Sequence, residues 1–127
     1  MSMEIELVVR QLFEGFDSLD FDAIRGQLTH DAQGVDEIAR RWLRGSDDIA
    51  KYFVELGSAL SEVRSELKDF HAVTSRDSAL ATLWLEQNYV LNGQAQHVSA
   101  PTTIALRREG GSWKVALIHS IPLPAED

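Results

Sequence analysis

Apolar side chains recur at three- and four-residue spacing through Ile5, Val8, Val9, Leu12, Phe13 and Phe16, with Glu4, Glu6, Arg10, Gln11 and Glu14 between them. That period predicts a helix with one buried face. Asp17-Ser18-Leu19-Asp20 interrupts it, and Asp20 stands where an N-cap belongs. The shorter helix that follows places Phe21, Ile24 and Leu28 on one face and is expected to end near Thr29-His30-Asp31. Residues 32–45 hold no single period; Val35 to Ile38 reads as a short strand and Gly45 as a turn. Ser46 is the candidate cap of a third helix, whose apolar stripe is Ile49, Phe53, Leu56 and Leu60. Asp47 and Asp48 fall in its first turn, where the helix dipole favours negative charge.

After Glu62 the period shortens to about two. Val63 to Ser75 alternates imperfectly but is rich enough in Val, Phe and Thr for a strand. Arg76-Asp77-Ser78 predicts a turn, Ala79 to Leu91 a long strand, and Asn92-Gly93 a hairpin, because both residues tolerate positive φ. Gln96 to Arg108, a turn at Glu109-Gly110-Gly111, and Ser112 to Ile121 complete the chain's strands. The predicted order is α-α-β-α-β-β-β-β. This is an α+β domain, with three N-terminal helices packed on a mostly antiparallel sheet. Strands of a dozen residues should coil strongly and offer a concave face to the helices.

With 127 residues the chain is of single-domain size, and residues 1–127 are read as one domain. Its formal charge is −8, unevenly placed: residues 1–70 hold 8 basic and 15 acidic side chains, residues 71–127 hold 4 and 5. An acidic chain whose basic residues are few and scattered argues against a nucleic-acid partner. Absence of cysteine excludes disulfides and thiolate chemistry and is compatible with a cytoplasmic location. No apolar run reaches membrane-spanning length, and the first residues lack a secretory pattern. A soluble cytoplasmic protein is expected.

The closing segment Arg107-Arg108-Glu109-Gly110-Gly111-Ser112-Trp113-Lys114-Val115, with His119 after it, resembles the end of SnoaL-like proteins of the nuclear transport factor 2-like superfamily. Gly45-Ser46-Asp47-Asp48-Ile49 followed by Tyr52-Phe53 resembles the start of that family's third helix. The resemblance runs from about Ile5 to Pro122. It implies a cystatin-like cone, with a strongly curved sheet and an internal pocket that takes a small, largely apolar molecule. It also implies a homodimer formed through the convex sheet face, where Ala116 and Ile118 are the expected contacts. The family spans isomerases, cyclases, dehydratases, epoxide hydrolases and association domains, so fold does not select the activity. Relatives often carry a serine two residues after the late histidine; here that residue is Ile121.

Strand alternation nominates the site. On the last strand Trp113, Val115, Leu117, His119 and Ile121 share one face, which makes Trp113 and Leu117 candidate pocket walls. His119 among apolar groups is either a general base with a depressed pKa or a core histidine tied to an acceptor. Asp36 either faces inward to pair with His119 or is surface charge. Glu86, which shares a strand face with Trp84, is either a raised-pKa acid–base group or an exposed carboxylate. Trp42, Tyr52 and Trp84 are candidate ligand-binding residues; His30-Asp31 needs no role beyond a helix end.

The four histidines are scattered without metal-ligand spacing, and no phosphate loop, nucleophile elbow or dinucleotide fingerprint is present. The expectation is therefore no metal and no cofactor. Two functions fit: cofactor-free acid–base chemistry on a small apolar molecule, or a non-catalytic ligand-binding or association module.

Overall fold

The computed structural model describes residues 2–124. The elements are α1 (Ser2–Asp17), α2 (Phe21–Gly26), β1 (Leu28–Asp36), β2 (Leu43–Arg44), α3 (Ser46–Ala59), β3 (Leu60–Ser75), β4 (Ser78–Leu91), β5 (Gln94–Glu109) and β6 (Ser112–Ser120). The expected α+β class stands. The third helix, however, follows two strands, and β2 is a strand the periodicity did not separate.

The six strands form one curved, unclosed sheet in the order β2-β1-β6-β5-β4-β3. β3 to β6 form an antiparallel meander, whereas β1 lies parallel to β6. Each meander turn has two residues with positive φ at one or both positions: Arg76-Asp77 (Arg76 φ 54), Asn92-Gly93 (φ 52 and 80) and Gly110-Gly111 (φ 57 and 82). Such turns match the twist of the strands they join.

The imperfect alternation of β3 has a physical cause. Its pairing with β4 shifts between Ser61 and Arg64 and again between Lys68 and His71. Glu62 and Asp69 adopt φ 53 and 51 at these two places. Each shift is a bulge that bends the strand and resets which side chains face inward. Val63, Leu67 and Phe70 thereby all pack on the core side.

Ile5, Val9, Leu12 and Phe13 of α1 are buried on the inner face of the sheet with Leu83, Leu85, Ile104, Leu106 and Val115. Ile49, Tyr52, Phe53 and Leu56 of α3 complete the same core. Asp20 caps α2 by accepting the Ala23 N–H at 3.1 Å. The helix ends at Gly26 rather than near Thr29-His30-Asp31, because Leu28 already pairs with Val115 and the Val115 N–H donates to the Gln27 carbonyl. His30 and Asp31 therefore lie in β1, with Asp31 bound to Arg107 at 2.8 Å. The N-cap of α3 is Gly45, not Ser46; Ser46 is the first helical residue, and the Asp48 carboxylate reaches back to accept the Arg44 N–H at 3.0 Å. Among the described residues no helix is long and apolar enough to cross a membrane.

Candidate functional site

A small cavity lies between the helices and the concave face. Phe13 and Phe16 of α1, Leu56 of α3, Leu60 and Val63 of β3, Leu85 of β4 and Ile118 of β6 make it largely apolar. Its polar wall is Asp36, Glu37, Gln87, Tyr89 and Ser120. It leaves about 60 Å³ for the centre of a water-sized sphere. A second apolar cavity of about 50 Å³ adjoins it, walled by Leu28, Ala32, Leu43, Ile49, Tyr52 and Phe53. Phe16, Asp36 and Ile118 line both.

Two carboxyl groups reach this region because β1 ends where it does. In a continuing strand, Asp36 and Glu37 would point to opposite faces. The chain instead turns after Asp36, whose Oδ1 accepts the N–H groups of Ile38 (3.0 Å) and Ala39 (2.8 Å). The Arg40 N–H donates to the Asp36 carbonyl, and Arg40 takes φ 56. Each carboxyl is held by a tyrosine. The Tyr52 hydroxyl donates to both Asp36 oxygens at 2.9 Å, and the Tyr89 hydroxyl donates to Glu37 Oε1 at 2.9 Å.

Burial pushes the Glu37 pKa above its ordinary value, and the neighbouring Asp36 charge adds to this, whereas hydrogen bonds from its backbone and Tyr89 oppose it. Burial and the adjacent carboxylates push both tyrosines upward, so each remains a neutral donor. Asp36 Oδ1 holds the turn, and both Asp36 oxygens share the Tyr52 hydroxyl.

The geometry corrects several expectations. Pairing of β5 with β6 slips between Ala105 and Leu106, leaving Ala116 as the extra residue. Val115 faces inward before the bulge, and Ile118 and Ser120 face inward after it, opposite Ile104 and Thr102. His119 and Leu117 are thereby turned to the outer face and line neither cavity. His119 does not meet Asp36; its ring lies 6.0 Å from that of Trp42, which is 42% exposed and also stacked by Arg44. Ile118, expected on the convex face, is a cavity wall. Ile121 follows the last strand and is exposed; the serine at the cavity is Ser120, bonded to Thr102 at 2.8 Å.

Trp113 packs on the far end of the core, with Arg108 over its ring and its Nε1 donating to Glu4 at 3.2 Å. Trp84 and Glu86 lie on the outer face, since their neighbours Leu83, Leu85 and Tyr89 are the buried ones. Ser99 links them: it accepts from Trp84 Nε1 and donates to Glu86 at 2.8 Å. That hydrogen bond holds the Glu86 carboxyl below its ordinary value, opposite to the shift expected of a proton donor. His97 lies 3.2 Å from Glu86 on the same surface. Of the nominated residues, only Asp36 and Tyr52 meet at the cavities. Glu37, Tyr89 and Ser120 were missed. The inward phase of Tyr89 was legible from Ala81, Leu83 and Leu85; that of Glu37 and Ser120 depended on a turn and a bulge.

The sequence profile of the SnoaL-like domain matches residues 9–116. The chain belongs to the SnoaL-like family. No curated protein matches the sequence. Several solved structures share the fold across nearly the whole chain. A proposed aromatic ring hydroxylase from Novosphingobium aromaticivorans has a TM-score of 0.88 at 20% identity, covering 97% of this chain and 89% of its own. A proposed dehydratase of the nuclear transport factor 2-like family from Streptomyces avermitilis has a TM-score of 0.87 at 17% identity, covering 98% and 97%. A ketosteroid isomerase-like protein from Erwinia carotovora atroseptica has a TM-score of 0.82 at 20% identity, covering 97% and 96%. At these identities the likeness establishes fold alone.

Proposed function

We propose that this SnoaL-like protein binds a small, largely apolar molecule in the cone cavity and that Glu37 transfers a proton to or from it without a cofactor. The observation that carries this reading is the pair of adjacent, tyrosine-held carboxyl groups facing a largely apolar cavity. A carboxyl whose pKa is raised toward neutrality is suited to take a proton and return it. In this scheme Glu37 removes a proton from a carbon beside a carbonyl, the electron pair moves to the carbonyl oxygen, and Glu37 gives a proton back. Tyr89 fixes the carboxyl, and Asp36 with Tyr52 shapes the polar wall. Enzymes of isomerase, cyclase or dehydratase type all use such steps.

The test is α-proton exchange of pentan-3-one in deuterated buffer, followed by NMR, with native mass spectrometry of fresh protein to detect any bound molecule. The wild-type chain should accelerate exchange, and Glu37→Gln should not. Equal rates for the two proteins would overturn the catalytic half of the reading.

A second reading, an association module that acts as a homodimer, has its own support. The outer sheet face leaves Val73 and Leu80 exposed at 66% and 44%, beside Thr82 and half-buried Trp84. An apolar strip of this kind suits an isologous contact with a second copy. Light scattering should give twice the chain mass for the wild type and the single-chain mass for Leu80→Arg; a monomeric wild type would remove this reading.

A further inference from the structure

The two cavities share three walls: Phe16 from α1, Asp36 from β1 and Ile118 from β6. Phe16 is half-buried and touches its neighbours at ring separations of 6.0 Å (Phe13) and 6.1 Å (Phe53). At the shared wall stands one hydrogen-bond acceptor with capacity to spare. Asp36 Oδ1 takes two backbone N–H groups and a share of the Tyr52 hydroxyl, whereas Oδ2 takes only the other share of that hydroxyl. A carboxylate offers about four acceptor positions, two on each oxygen, so Oδ2 is under-used.

We infer that the two cavities are halves of one ligand site, and that the ligand is a small secondary alcohol with an apolar arm in each half and its hydroxyl on Asp36 Oδ2. The inference rests on reading the cone cavity as a ligand site and adds the substrate class: a secondary alcohol that carries, on one of its arms, the carbonyl beside which Glu37 takes its proton, with simple alcohols serving as probes of binding alone. Size limits the arms. About 60 and 50 Å³ of cavity are open, and a water-sized group takes up roughly 10–15 Å³. That admits arms of about three or four carbons. Phe16 and Ile118 at the junction set the length, and Asp36 selects a donor over a bare carbonyl.

The test uses the full chain, labelled with nitrogen-15, titrated with heptan-4-ol, heptan-4-one and butan-1-ol. Heptan-4-ol should shift amides around both cavities and bind about ten-fold or more tightly than either control. The ketone has the shape without the donor, and a hydrogen bond to a charged acceptor is worth at least that factor. Phe16→Ala should improve binding of nonan-5-ol relative to heptan-4-ol several-fold, and Phe16→Leu should do so to a smaller extent if the alanine variant unfolds.

Butan-1-ol binding as well as heptan-4-ol would refute the joined site while leaving the cavity a ligand pocket. Equal binding of alcohol and ketone would refute the role of Asp36. No shift at either cavity with any of the three compounds would refute both the inference and the ligand-pocket reading beneath it.

Discussion

Glu37 is the group at which the proposed chemistry and the stability of the fold meet. Burial raises its pKa above the ordinary 4.5, and Asp36 adds to the shift. A proton that binds the folded chain more tightly than the unfolded one makes stability fall as pH rises. The fall begins near 4.5 and ends above the folded-state pKa. One proton sets the greatest slope at about 1.4 kcal/mol per pH unit. Glutamine has nearly the same shape, carries no charge, and still accepts the Tyr89 hydroxyl now 2.9 Å from Glu37 Oε1. Glu37→Gln should therefore match the wild type below about pH 4 and be the more stable protein at pH 8. The difference should grow across the window with a slope no steeper than that limit, then level. Urea unfolding of both proteins from pH 4 to 8, read by fluorescence of the three tryptophans, measures it directly. Titrating groups remote from Glu37 act on both proteins and cancel in the difference. A difference that stays flat with pH would mean that folding leaves the Glu37 carboxyl unshifted, and a wild type that gains on the variant as pH rises would mean that folding favours the carboxylate; either result removes the physical basis of the proton-transfer reading.

Three further outcomes are expected. Tyr52→Phe removes a hydrogen bond to a charged acceptor but leaves Asp36 its two backbone donors, so unfolding free energy should drop by about 1.5–3 kcal/mol in urea titration. Ile118→Ala enlarges both cavities and should cost about 2 kcal/mol or more, whereas His119→Ala on the outer face should cost under about 1 kcal/mol and leave cavity binding unchanged; the reverse ranking would place the β6 bulge elsewhere. Gly57→Ala meets only Phe21 at 3.7 Å and should raise stability by about 0.5–1 kcal/mol. At Gly15 the new methyl would lie 2.8 Å from buried Ile24, and overpacking of about 1–3 kcal/mol should outweigh the helix gain. Calorimetric melting temperatures should move in opposite directions for the two glycine variants.

What the sequence determined by itself was whatever depends on neighbours along the chain. The stripe Ile5, Val9, Leu12 and Phe13 appears as the buried face of α1, because helical period alone brings those side chains together. Asn92-Gly93 and Gly110-Gly111 appear as two-residue turns, because positive φ is a local preference. The Asp20 cap is likewise local. Tertiary structure decided the rest, and the reason is the same in each case: pairing with a distant strand overrode the local pattern. Parallel pairing with β6 ended α2 early and gave Leu28 to β1. One extra residue at Ala116 exchanged the two faces of β6, sending His119 outward and bringing Ile118 and Ser120 to the cavity. A strand has a period of two, so a one-residue slip moves every later side chain to the other face. The turn after Asp36 did the converse, bringing two successive carboxyl groups to one side. Glu37, Ile118 and Ser120 thus reach the site at two places where strand alternation fails, and a reading that assumes alternation there cannot find them.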